Sequence, residues 1–171
     1  MRPRPRGIVT LVAVPVSLAV WLSGCTTIID RDPNSGNETS AILSLKAIAL
    51  AQTGYRTVCG NGGYAASLVV LRTPPGGGSG EGFIDAALGA SNIPQKSGYM
   101  FTMTAGAGSS AGPKDCNGTP TVTAFYATAV PILLNETGTR SFAVNQLNLI
   151  WQLTGGIAPT EPFGPPAYPI Q

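Results

Sequence analysis

From residue 37 onward the hydrophobic rhythm of the chain changes once, dividing it into a helical part and a sheet part. Across residues 39–53, Ile42, Leu45, Ile48 and Ala49 recur at helical spacing, alanine is abundant, and Lys46 carries the one charge. Ser35 and Glu38 stand at the spacing of a capping box, in which hydroxyl and carboxylate satisfy each other's backbone N–H groups. Gly54 supplies the stop. This predicts an amphipathic helix of about four turns with one apolar stripe. The turn-rich run Gly60, Asn61, Gly62, Gly63 leads to a shorter helical piece over 65–71. Residues 73–82 form a Gly- and Pro-rich loop, and 83–89 make one further helical turn.

From residue 97 the period becomes two. Tyr99, Phe101, Met103 and Ala105 share one face, with Met100, Thr102 and Thr104 opposite, the pattern of a half-buried strand. Residues 106–120 predict a long loop containing Cys116, and 121–130 a second strand that Pro131 ends or marks as an edge. Residues 140–144 give a third strand with Phe142 and Val144 inward. Residues 149–153 give a fourth, with Leu149, Trp151 and Leu153 on one side. Asn145 to Asn148 can turn between them, because asparagine tolerates left-handed backbone. Residues 158–171 hold five prolines and predict an extended or disordered tail, acting as a spacer or as a strap along the domain. The expected fold is α+β, one N-terminal helix packed on a roughly four-stranded antiparallel sheet.

Charge changes the picture at the start of the chain. Ten Lys and Arg stand against eight Asp and Glu, a formal +2. Without Arg2, Arg4 and Arg6, seven basic residues face eight acidic ones, a net of −1. That excludes a nucleic-acid protein built on bulk positive charge. The three arginines precede an apolar stretch over 8–22, interrupted by Pro15 and Ser17. It falls short of the roughly 20 residues a membrane-crossing helix needs, so it predicts a secretory leader.

Leu22-Ser23-Gly24-Cys25 follows, and this tetrapeptide resembles the lipobox of bacterial lipoproteins. The resemblance implies cleavage after Gly24, acylation of Cys25 and attachment to membrane lipid through that residue. Thr26, where lipoproteins retained at an inner membrane often carry Asp, implies an outer-membrane home in an organism that has one. The chain then divides into a leader (1–24), a tether (25–36), a globular domain (37–157) and the Pro-rich tail (158–171). With Cys25 acylated, Cys59 and Cys116 are an even pair in an exported chain, which predicts a structural disulfide; two free thiols are the alternative.

Four runs carry a further resemblance. NETSAILSLKAI at 37–48 is similar to the second half of a pilin helix, where Asn-Glu-x-x-Ala-Ile-x-Ser-Leu-Arg is familiar. Tyr55, with Gly63-Tyr64-Ala65 and residues 68–71, resembles the helix-to-loop passage after it. KSGYMFT at 96–102 resembles the first sheet strand of those proteins, and GTRSFAVN at 138–145 resembles their Gly-x-Arg-x-Phe-x-x-Asp hairpin segment. The domain thus resembles the type IV pilin and type II secretion pseudopilin family over about 37–153. It departs from that family at its start: the long apolar half-helix and its glutamate are missing, so the resemblance does not extend to polymerisation. Some pseudopilins hold calcium, but only Asp115 and Glu136 lie between residues 97 and 153, too few carboxylates for such a site.

Catalytic patterns fail their own conditions. With no histidine, Ser-His-Asp and Cys-His machinery and His-ligated metals are excluded. Ser110 sits in a G-x-S-x-G match at 108–112, but neither a base nor a strand–turn–helix context accompanies it. Glu81 and Asp85 are the closest carboxylate pair outside the tether, beside a glycine loop where solvation is the expected state. Arg140 suits an ion pair with Glu136 or an anion contact, and Tyr99, Phe101, Phe125, Phe142 and Trp151 suit a core. The chain reads as a non-enzymatic, lipid-anchored envelope protein, without cofactor, making protein contacts in a secretion or pilus setting. The alternative is a lipid-anchored module binding a small molecule or glycan in its glycine-rich loops.

Overall fold

A computed structural model describes residues 33–170. Cys25 and the leader lie outside the described residues. The domain is α+β, with one long helix, a short one, a six-stranded antiparallel sheet and a separate two-stranded ribbon. The sheet is larger than the four strands expected, because two short terminal strands extend it.

Helix α1 spans Pro33–Val58, longer at both ends than its sequence signals suggest. Pro33 opens it, since a proline in the first turn has its φ already set and loses no helical hydrogen bond. Ser35 therefore lies inside the helix, where its carbonyl accepts from the Thr39 hydroxyl, and the capping box does not form. Gly54 does not stop the helix either. Its cost of about 1 kcal/mol relative to alanine is outweighed because the buried stripe Ala41, Leu45, Ile48, Gln52, Tyr55 continues to Cys59. The chain leaves the helix where Asn61 and Gly62 take left-handed φ of 49° and 91°. Ser67 then caps the short helix α2, Leu68–Arg72.

The sheet is a meander. Its strands are β1 (Gln95–Lys96), β2 (Tyr99–Ala105), β5 (Phe125–Pro131), β6 (Arg140–Asn145), β7 (Trp151–Thr154) and β8 (Tyr168–Pro169), hydrogen-bonded in that order. The region expected to be loop carries β3 (Ala111–Lys114), paired with β4 (Pro120–Val122), and β4 and β5 together divide the strand expected over 121–130. One sheet face carries Tyr99, Phe101, Met103, Ala127, Ala129, Phe142 and Val144 into the core shared with α1. The two alanines of β5 leave room for the helix, which contacts both β5 and β6.

The opposite face holds the main departure from the period-two reading. On β7, Gln152 is buried toward α1, whereas Trp151 and Leu153 are half-buried on the outer face. Trp151 is thus not a core residue. The proline-rich tail covers it: Phe163 stacks on Trp151 with ring centroids 5.3 Å apart and lies 6.2 Å from Tyr126. The Tyr126 hydroxyl donates to the Pro159 carbonyl at 2.6 Å, and Asn145 Nδ2 and Ala107 N both donate to Glu161, each at 2.6 Å. Burial, with the Glu161 charge second, pushes the Tyr126 phenol up to about 12, so it remains a donor at neutral pH. The tail is a strap. Phe163→Ala should cost about 1–2 kcal/mol of stability through lost aromatic burial. In the chain without its leader Trp151 is the sole tryptophan, and its emission should shift to the red. An unchanged emission and melting temperature would show that the strap is not held there.

Candidate functional site

Three of the four runs that carry the resemblance meet at the N-terminal end of α1, and the fourth, with Tyr55 and residues 63–71, lies toward the other end. Glu38 is 5% exposed and reaches across to the start of β6. Its Oε1 accepts from Thr139 N (2.8 Å), the Thr139 hydroxyl (2.8 Å) and Arg140 N (3.1 Å). Its Oε2 accepts from Arg140 Nε (2.9 Å) and Nη2 (2.6 Å). Arg140 Nη1 donates onward to Gln152 Oε1 on β7, and the Tyr99 hydroxyl donates to the Arg140 carbonyl at 2.8 Å. Gly138 completes the joint, since a side chain there would collide with the Tyr99 ring. Burial alone would push the Glu38 carboxyl up; the Arg140 and Thr139 donors and the arginine charge outweigh it and hold the group below its ordinary value. The partner of Arg140 is therefore Glu38 and not Glu136, and every acceptor direction of that carboxylate is occupied. This is a structural joint, with no group left over for chemistry.

A second arrangement lies at the far end of α1. Tyr55 donates its hydroxyl to Asp115 Oδ2 at 2.7 Å, while Asp115 Oδ1 accepts from Asn117 N and Thr119 N and shapes the β3–β4 turn. Burial first, then the hydrogen bond and charge of Asp115, pushes the Tyr55 phenol up, so it stays protonated. Beside it Cys59 and Cys116 are joined as a disulfide, 57 positions apart, with Cys116 N donating to the Cys59 carbonyl.

A cleft of about 440 Å³ opens on the same end. Thr53, Arg56 and Thr57 of α1 form one wall, Tyr64 the second, and Gln146 and Asn148 of the β6–β7 turn the third. Arg56 donates to the Gly62 carbonyl and the Tyr64 hydroxyl, and its guanidinium lies 5.2 Å from the Tyr64 ring centroid. Gln146 Oε1 is buried and accepts no hydrogen bond. Asn148 holds a φ of 60°, as the turn expected over 145–148 requires. The glycine turn at 60–63 and the asparagine turn are both legible in the sequence, but nothing local says that they face each other.

The remaining sequence candidates do not assemble. Asp85 pairs with Lys96 at 3.0 Å, and Glu81 is exposed. Ser110 donates its backbone N–H to the Thr123 hydroxyl, and its own hydroxyl lies 3.3 Å from the same oxygen, with no base at hand. Among the described residues no three His, Cys, Asp or Glu side chains gather as a metal site. Gln52, a polar residue at a position of the apolar stripe, is buried and clamps Ala65 through both its amide atoms. Compared with protein families, curated proteins and solved structures, the chain matches none of them.

Proposed function

We propose that this is a lipid-anchored, non-enzymatic envelope protein whose pilin-like domain makes protein contacts as an accessory of a secretion or pilus system. The lipobox supports the anchor, and the meeting of three of the pilin-like runs around Glu38 supports the kinship of the domain. The observation that carries the contact role is the outer face of α1. Leu43, Leu50 and Val58 stand 59%, 74% and 66% exposed on one side of the helix, with the small residues Ala47 and Gly54 between them. An apolar ridge of this kind on a helix already committed to a core is suited to a partner surface. Among the described residues no helix is long and apolar enough to cross a membrane; on this reading the anchor is Cys25.

Cys25→Ser should transfer the protein from the membrane fraction to the soluble one. Leu50→Glu should leave it in the membrane but remove its crosslinks to neighbours in mild detergent. A membrane-bound C25S protein would overturn the anchor, and crosslinks that survive L50E would overturn the contact face. The second reading, capture of a small polar ligand, draws on the Arg56–Tyr64–Gln146 cleft, whose unpartnered amide oxygen suits a hydroxyl or N–H donor.

A further inference from the structure

The geometry points to a second membrane contact, in which the loop joining β5 to β6 seats in a zwitterionic lipid surface beside the lipid anchor. This rests on the anchor reading above. Ile132, Leu133 and Leu134 form a consecutive apolar run, 41%, 53% and 45% exposed, and Leu134 lies beside Gly156, next to the 74% exposed Ile157. A run of three exposed apolar residues at a loop tip contributes nothing to the core it leaves behind.

The loop stands where the chain must meet the bilayer. Asn34 Nδ2 donates to the Asn135 carbonyl at 3.4 Å and Asn37 Nδ2 to the Thr137 carbonyl at 3.1 Å, fastening the first turns of α1 to the loop. Cys25 precedes Pro33 by eight positions, and a chain of that length reaches at most about 30 Å. The acyl chains therefore hold this end of the domain near the lipid, while α1, about 39 Å long at 1.5 Å per residue, carries the Arg56 cleft to the other end.

The loop is also built for a poorly hydrated setting. Asn135 N donates to the Gly138 carbonyl, Glu136 N and Thr137 N both donate to the Leu133 carbonyl, and Leu133 N donates to the Thr137 hydroxyl oxygen. With these backbone groups bonded internally, the tip can enter the headgroup boundary at small polar cost. Glu136 is the one charged residue between 132 and 139, so the loop itself carries no cation to select anionic lipid. Apolar burial is what seats the loop, and a phosphatidylcholine surface suffices.

The test uses the acylated chain in phosphatidylcholine vesicles, with photoreactive p-benzoylphenylalanine in place of Leu133, or, as a control at the opposite end, of the exposed Leu147. After flotation and irradiation, mass spectrometry should find several-fold more lipid adduct at position 133 than at 147. A chain that floats but gives equal lipid adducts at both positions overturns the seating and leaves the anchor standing. Adducts at 133 to protein, a second copy included, overturn it in favour of a protein partner. A chain that does not float overturns the anchor reading and the seating with it.

Discussion

Glu38→Ala is expected to lower stability by about 3 kcal/mol, the low end for stripping one partner from a buried ion pair. The low end applies because the Arg140 side chain is 35% exposed and water can partly replace its lost partner. Thr139 N and Arg140 N lose their acceptor at the same time. For a domain of this size the melting temperature should fall by about 10 °C. Acid should act through the same group. Because the folded-state pKa of Glu38 is depressed from 4.5, its contribution is fully present above that ordinary value and is lost as pH falls through the lower, folded one. Glu38→Gln should flatten that acid limb, while its amide N–H₂ faces the guanidinium and keeps the variant destabilised at neutral pH. Thermal melts from pH 7 to pH 3 check both outcomes. An E38A protein melting within a few degrees of the parent would show that the joint contributes little.

Breaking the Cys59–Cys116 disulfide is expected to cost about 4 kcal/mol, the chain-entropy value for a loop of this length. The loss should appear in one place as well as globally. Cys59 ends the buried stripe of α1, and Cys116 sits in the β3–β4 turn next to Asp115 and its bond from Tyr55. Cys59→Ser/Cys116→Ser should therefore lower the melting temperature by about 12 °C and release amide-exchange protection in the β3–β4 hairpin before the main sheet. Mass mapping without reductant that finds both thiols free would sink the staple itself. Glu38 lies in the first turns of α1 and Cys59 just past its last residue, 21 positions on, about 30 Å away, so the two losses should add.

Local signals read well along this chain. The stripe of α1, the alternation of β2, the Gly60–Gly63 turn and the left-handed Asn148 each depend on neighbours within one or two turns, and each is legible. Boundaries read less well. Helix α1 opens at Pro33, a permitted first-turn residue, ahead of the cap read at Ser35, and it passes Gly54 because the buried Tyr55 and Cys59 lie beyond it. Strand β3 is not legible in the sequence, because a segment rich in glycine and proline shows no alternation until Asp115, the disulfide and the Tyr64–Val122 bridge hold the ribbon in place.

By itself, the sequence determined the α+β class, the Cys59 and Cys116 pair, the lack of any histidine and the near-neutral charge of residues 25–171. Periodicity, composition and backbone preference are properties of short stretches, and they survive folding. Only the tertiary structure decided what Glu38 does, which face of β7 turns inward, and that the tail is a strap. Glu38 meets Thr139 and Arg140 across separations of 101 and 102 residues, and Trp151 turns outward because Phe163 covers it. A carboxylate that fits a local cap and one that completes a distant joint look alike in a linear chain. They differ in which donors the packed sheet brings within 3 Å, and no short stretch of sequence contains that distance.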